Sequence, residues 1–127
     1  KTTNRYFNYI YVRMGAHTLI HKRTEDDIWK NLFELPLVET EKDLSEEEFL
    51  ACPQFHALFA EGEVRMVRTL LRGVKHVLSH RVIYTNFYEV TLPDNSSSFS
   101  SYQRVAVEDL DRYAVPRLIH AFLEKYV

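Results

Sequence analysis

The chain has 127 residues, enough for one domain with a real core and too few for two. Its one cysteine, Cys52, excludes an internal disulfide framework and a Cys-based zinc site, and its context reads as a buried, inert thiol. The net charge of −2 is unevenly placed: Glu39 to Glu48 carry −5, and Arg65 to Arg81 carry +5 with His neutral. This polarity predicts one face for an anion and another turned away from it. No apolar run approaches the roughly 20 residues that span a bilayer, so no membrane partner is expected. The chain starts with Lys and shows no signal peptide, which reads as a piece of a longer intracellular protein.

In chain order, Tyr6–Arg13 reads as a strand, rich in aromatic and β-branched residues that fit a pleated surface. Met14-Gly15-Ala16-His17 reads as a turn and Thr18–Lys22 as the strand that completes a hairpin. A charged loop, Arg23 to Asp27, leads into Ile28–Glu39, which is apolar and irregular. Pro36 confines any strand there to an edge or a bulge. Ser45-Glu46-Glu47-Glu48 has the spacing of a capping box, with three acids at the positive end of a helix. Phe49, Leu50, Phe55, Leu58 and Phe59 would be its apolar stripe; Pro53 would split or kink the helix and Gly62 end it.

Val64 to Leu71 fits strand and helix periods equally loosely. Val74–Leu78 and Arg81–Leu92 read as strands. In the second, Val82, Tyr84, Tyr88 and Val90 share one face and Ile83, Thr85 and Phe87 the other. Pro93 to Ser101 is a flexible polar loop, Tyr102–Val107 a returning strand, and Val115 to Tyr126 a closing helix. Pro116 sits in its first turn, and Leu118, Ile119, Phe122, Leu123 and Tyr126 form its apolar face. The sum is an α+β domain: a mixed sheet with about two packed helices.

The informative stretch is Gly73 to Tyr84. Two apolar runs, Val74 to Leu78 and Val82 to Tyr84, flank a Ser79-His80-Arg81 corner that would present a hydroxyl and an imidazole on a rigid support. Arg72, Lys75, His76 and Arg81 surround it with positive charge, a combination that suits a polyanion. Other chemistries fare worse. The pairs His17/His21 and His76/His80 have no carboxylate or Cys to complete a metal set. Ser79 and His80 are adjacent, so on a strand they point apart and make no catalytic dyad. No catalytic residue, metal site or cofactor is expected in this chain.

The order of early hairpin, Trp-Pro segment, helix and long later strands resembles a Nudix-type domain. An active enzyme of that class has a Gly, a Glu six positions on, and then an Arg-Glu-x-x-Glu-Glu helix that holds a divalent metal. Six positions beyond Gly15, Gly62 and Gly73 stand His21, Arg68 and Ser79, and no Arg precedes Glu46-Glu47-Glu48. The acids therefore read as capping residues. Two motifs carry a closer resemblance. Arg23 with Trp29-x-x-Leu32-x-Glu34-x-Pro36, and His76-Val77-Leu78-Ser79-His80, are similar to the C-terminal domain of the A/G-specific adenine DNA glycosylases, the MutY family; the helix start Val115-Pro116-Arg117-Leu118-Ile119 also looks like it. Leu78 stands where that family has Phe.

The resemblance implies a Nudix-like fold without the hydrolase box. It also implies a DNA-repair role, recognition of 8-oxoguanine opposite a misincorporated adenine in double-stranded DNA. Adenine excision, and an iron–sulfur cluster, would belong to a separate N-terminal catalytic domain, which would then be a partner. Carried over residue by residue, Ser79 would contact the lesion. His80 would hold a phosphate or position the loop, and Leu78 would press on a base step. Arg72, Lys75, His76 and Arg81 would attract phosphates. Trp29 and Pro36 would serve core and turn packing. The alternatives are a Nudix-type nucleotide hydrolase with an atypical metal site, and a protein-interaction module displaying the aromatics of the Tyr-rich strands.

Overall fold

Two β-sheets, three short α-helices and one further helical turn make up the computed structural model, which describes residues 3–127. Strand β1 (Thr3–Arg13) lies in the middle of a four-stranded sheet. It pairs antiparallel with β4 (Leu37–Thr40) on one side and parallel with β6 (Arg81–Thr91) on the other; β5 (Met66–Val77) closes that side, antiparallel to β6. The second sheet has β2 (His17–Lys22) between β3 (Phe33–Glu34) and β7 (Gln103–Ala106). The architecture is the expected mixed α+β one, although the strands divide between two sheets.

The expected β1–β2 hairpin does not form. A single bridge, Met14 to His17, closes the Gly15 turn, and the strands then part. β6 holds one edge of β1 along its whole length, β4 and Pro36 hold the other from Tyr6 to Ile10, and β2 pairs instead with β3 and β7. Pro36 falls between β3 and β4, where its missing N–H interrupts no ladder, while its carbonyl accepts from the Ile10 amide (2.9 Å).

The alternation of side chains in β1 and β6 sorts the core into two clusters, one on each face of the large sheet. Phe7, Tyr9, Tyr11, Ile83 and Phe87 face α3 (Arg117–Tyr126), whose Leu118, Ile119 and Phe122 are buried against them. Ile10, Val12, Tyr88 and Val90 face α1 (Glu46–Ala51) and α2 (Pro53–His56) through Phe49 and Phe55. The capping box is present as the spacing predicts. Ser45 Oγ accepts from the Glu48 amide (3.1 Å) and Glu48 accepts from the Ser45 amide (2.9 Å). Pro53 divides the helix in two. Cys52, at that junction, is half-buried and not fully enclosed.

The ambiguous segment proves to be the start of β5, which runs straight through to Val77. Its register shifts twice, between Thr69 and Leu71 and between Leu71 and Val74. At the second shift Gly73 takes a φ of +70°, and its amide donates to Asn86 Oδ1 (2.8 Å). A helical turn that the sequence did not signal, Val107–Arg112, joins β7 to α3. The Pro93–Ser101 loop is tied down: the hydroxyls of Ser96 and Ser98 donate to Glu63 (2.5 and 2.8 Å) and hold its carboxyl at about 2, below its ordinary 4.5. Among the described residues no helix is long and apolar enough to cross a membrane.

Candidate functional site

The corner between β5 and β6 is a tight turn. The Leu78 amide donates to the Arg81 carbonyl (2.8 Å), which leaves Ser79 and His80 as the two residues at the tip. Neither takes positive φ, so the tip needs no glycine. β1 clasps the turn from its other side, where the Thr3 amide donates to the His80 carbonyl (3.1 Å). Both tip side chains are exposed, and among the described residues no hydrogen bond engages the Ser79 hydroxyl.

The ladder tells which way the neighbours point. Val77 pairs with Val82 and Lys75 with Tyr84, on the face that carries α1; His76 pairs with Ile83, on the face that carries α3. Lys75 is exposed, with no ion pair among the described residues. The other sequence-predicted cations have internal work. Arg72 donates to the Tyr88 hydroxyl (2.7 Å) and the Leu44 carbonyl (2.9 Å) and lies 3.7 Å from Asp43. His76 is half-buried, edge-on to Trp29 at 6.0 Å. Arg81 is half-buried, with Nη1 3.4 Å from Asp27.

Two expectations change here. Leu78 packs against the core on the α3 side, so it is not presented as an outward wedge; Val77, at 66% exposure, is the apolar side chain that faces out. The acidic run is also not turned away from the basic one. Asp43 and Glu46 lie against β5, where they meet Arg72 and the Thr69 hydroxyl (2.6 Å), because α1 packs on the face that those β5 residues line. Sequence position alone could not reveal that adjacency.

Sequence reasoning missed the support beneath the corner. Asp27 accepts two hydrogen bonds from Arg5 (2.8 and 2.9 Å) and one from Arg23 (2.8 Å), and it reaches Arg81. Arg5 also grips Glu39 of β4 (2.8 Å). The loop Arg23–Asp27 thus ties β1, β4 and the tip of β6 together. Beside it Glu34, only 2% exposed, accepts from the Tyr9 hydroxyl (2.7 Å) and from Arg23 (3.0 and 3.1 Å). His21 Nε2 sits 2.9 Å from the same carboxylate, but the geometry is not that of a hydrogen bond, so the contact is electrostatic at most. Arg23 and Glu34, separate matches in the sequence motif, therefore meet in one buried network.

The hydrogen bonds from Arg5 hold the Asp27 carboxyl at about 2, below its ordinary 3.8, against the opposing effect of burial. A depressed carboxyl stabilises the fold fully above its unfolded value, and that contribution is lost as pH falls toward the folded value. We expect the Asp27 carboxyl resonance to titrate near pH 2 in an acid series, with the amides of Ser79 and His80 shifting alongside it. In Asp27→Asn that step should vanish. Tip amides that ignore the Asp27 titration would show that the loop does not brace the corner.

Two of the three acids of α1 are also committed, Glu48 to its cap and Glu46 to Thr69, while Glu47 is exposed. No three His, Cys, Asp or Glu side chains converge as a metal site among the described residues.

Comparison with known proteins bears on this geometry. A family model described as a NUDIX domain matches residues 8–125. A search of curated proteins finds no match. Among solved structures, the C-terminal domain of mouse MUTYH, crystallised in complex with human PCNA, superposes with a TM-score of 0.68 at 15% identity, over 96% of this chain and 86% of that one. The MutT protein of Methanosarcina mazei gives a TM-score of 0.63 at 16% identity over 98% and 94%. A Nudix hydrolase from M. smegmatis gives 0.60 at 8% identity over 97% and 83%. At such identities these likenesses speak to the fold.

Proposed function

The chain belongs to the Nudix domain family, and from its exposed Ser79–His80 tip we propose that it is a non-catalytic module that reads 8-oxoguanine opposite adenine in duplex DNA. One observation carries the reading: a hydroxyl without a partner among the described residues stands at the apex of a turn braced by the Thr3 amide and by Asp27. Oxidation at C8 turns guanine N7 from an acceptor into an N–H donor. The Ser79 hydroxyl can accept from that N–H, whereas unmodified guanine offers only a lone pair there. The MutY-like motifs around Trp29 and Ser79 support the same role. Adenine excision, and the iron–sulfur cluster that the resemblance implies, would lie in another domain.

The side chains refine the contact set. Lys75 and His80 are the groups available for phosphate, and Val77 the apolar group available for a base step. Arg72 holds α1 against the sheet, so it stays out of the set; His76 and Arg81 act by bracing the tip.

The test is an amide-shift titration with two short duplexes at low salt, 8-oxoguanine:adenine and guanine:adenine. Wild type should show lesion-dependent shifts at Ser79 and His80. Ser79→Ala should keep the fold and lose about three- to tenfold of the preference, the worth of one hydrogen bond. Equal response to both duplexes by wild type would overturn the reading.

The second reading is a nucleotide hydrolase, favoured by the fold shared with MutT and by Glu47, which is exposed on α1. Magnesium-dependent cleavage of a nucleoside triphosphate, lost in Glu47→Gln, would establish it. The interaction-module alternative called for displayed aromatics. The exposed large apolar residues among those described are Val64, Met66, Val77 and Val127, none of them aromatic.

A further inference from the structure

At the other end of the large sheet, where β1 and β6 finish at Arg13 and Thr91, a cleft of about 570 Å³ opens between the sheet, the Val107–Arg112 turn and the end of α3. Its floor contains an unusual group. Glu89 lies on a central strand with its side chain 7% exposed, and a lone carboxylate there would be costly. Arg68 Nε donates to one of its oxygens (2.7 Å) and Arg13 Nη1 to the other (3.4 Å).

These arginines are not used up by that pairing. Their side chains are 58% and 52% exposed, and each donates through one nitrogen only among the described residues. A guanidinium has five N–H donors in a fixed fork. Two forks fixed by one buried carboxylate thus line the cleft with most of their donors open. Glu89 orients both and neutralises only one of the two positive charges.

The rest of the lining is of a different kind. Val107 and Tyr126 supply apolar surface, Tyr11 reaches the cleft only by its edge at 5% exposure, and Glu108 supplies a second, exposed carboxylate from the wall. Burial raises the Tyr11 phenol, which keeps it a neutral donor. The volume falls within the roughly 300–1,000 Å³ of small-molecule sites, far more than a bare inorganic anion needs.

We propose that this cleft is a second, non-catalytic site for a nucleoside monophosphate, the phosphate taken by Arg13 and Arg68, the base laid against Tyr126 and Val107, and its N–H donors facing Glu108. The cleft lies at the opposite end of β6 from the Ser79–His80 tip: Arg81 to Glu89 is eight positions, about 26 Å along a strand. It shares no residue with the lesion-reading corner or with the acids of α1.

The test is an amide-shift titration of the 127-residue chain with guanosine 5′-monophosphate, guanosine and inorganic phosphate. The nucleotide should produce saturable shifts at Tyr11, Ala16, Val107 and Tyr126, and neither half alone should match it. Arg13→Ala leaves the shorter Arg68–Glu89 pair in place, so it should fold as wild type and bind about tenfold more weakly, the loss of one charge-assisted contact. Glu108→Gln should weaken the nucleotide and leave inorganic phosphate unchanged. No saturable shift at these amides up to about 5 mM, a range that reaches interactions of only about 3 kcal/mol, would overturn the proposal. So would nucleotide binding that is unaltered in Arg13→Ala.

Discussion

Glu34→Ala should destabilise the chain by about 3–5 kcal/mol, the usual cost of removing one partner from a buried charge pair. The size follows from what is left behind. Arg23, whose side chain is 10% exposed, would lose the carboxylate that takes its Nη1, and the buried Tyr9 hydroxyl would lose its acceptor. Both groups would stay enclosed, because Phe7 and Trp29 pack over this part of the sheet. Glu34→Gln should be milder: its amide oxygen can still accept from Tyr9 and Arg23, at the loss of the charge. Urea unfolding followed by fluorescence of the lone tryptophan, Trp29, measures both. A loss under about 1 kcal/mol in Glu34→Ala would mean that water reaches Arg23 readily and that the network is a surface feature.

Phe122→Ala should cost a similar amount, about 3–5 kcal/mol, through a different mechanism. Its ring stacks on Phe87 at 4.1 Å with the planes 5° apart, meets Tyr11 edge-on at 6.3 Å, and lies beside Tyr126. It is the main aromatic link between α3 and the central strands. Truncation leaves a cavity that a ten-residue helix on one face of the sheet can only partly collapse into. The two substitutions separate by salt: added sodium chloride should change the Glu34→Ala deficit and leave the Phe122→Ala deficit nearly constant. Thermal unfolding at two ionic strengths checks this. If both deficits move together, charge and packing are coupled across the β1 face.

What could be read from the sequence was local. The capping box at Ser45, the break at Pro53 and the apolar stripe of α3 each depend on residues within a turn or two, and all are present. The two faces of β6 were legible because its alternation is unbroken. β5 was not legible in its first half because its two register shifts place Leu70 and Leu71 against one and the same core, where strict alternation would part them. The β1–β2 hairpin failed for a reason that no window along the chain contains: a turn signal at Gly15 says where the chain reverses, whereas the partners that β2 takes, β3 and β7, come from later in the chain. The candidate site divides likewise. The tip itself was visible as a polar break between apolar runs. Its bracing through Asp27 was not, since Arg5, Arg23 and Arg81 come from three distant places. Glu89 was also hidden, because a single acid in a strand gives no sign of lying beneath two arginines.

The parallel pairing of β1 with β6 has a consequence for the chain during its synthesis. Partners in that ladder are 78 positions apart, and the ladder runs from Thr3–Arg81 to Arg13–Thr91. Both core clusters draw on both strands. Until β6 has left the ribosome, β1 carries an aromatic, nearly uncharged edge with nothing to lie against, and that edge is the surface on which a waiting chain would aggregate. Closing so long a loop before any contact rewards it makes folding slow and late. The Ser79–His80 tip immediately precedes β6, and the Thr3 clasp on it forms in the same step, so the recognition corner and the sheet that carries it become ordered together.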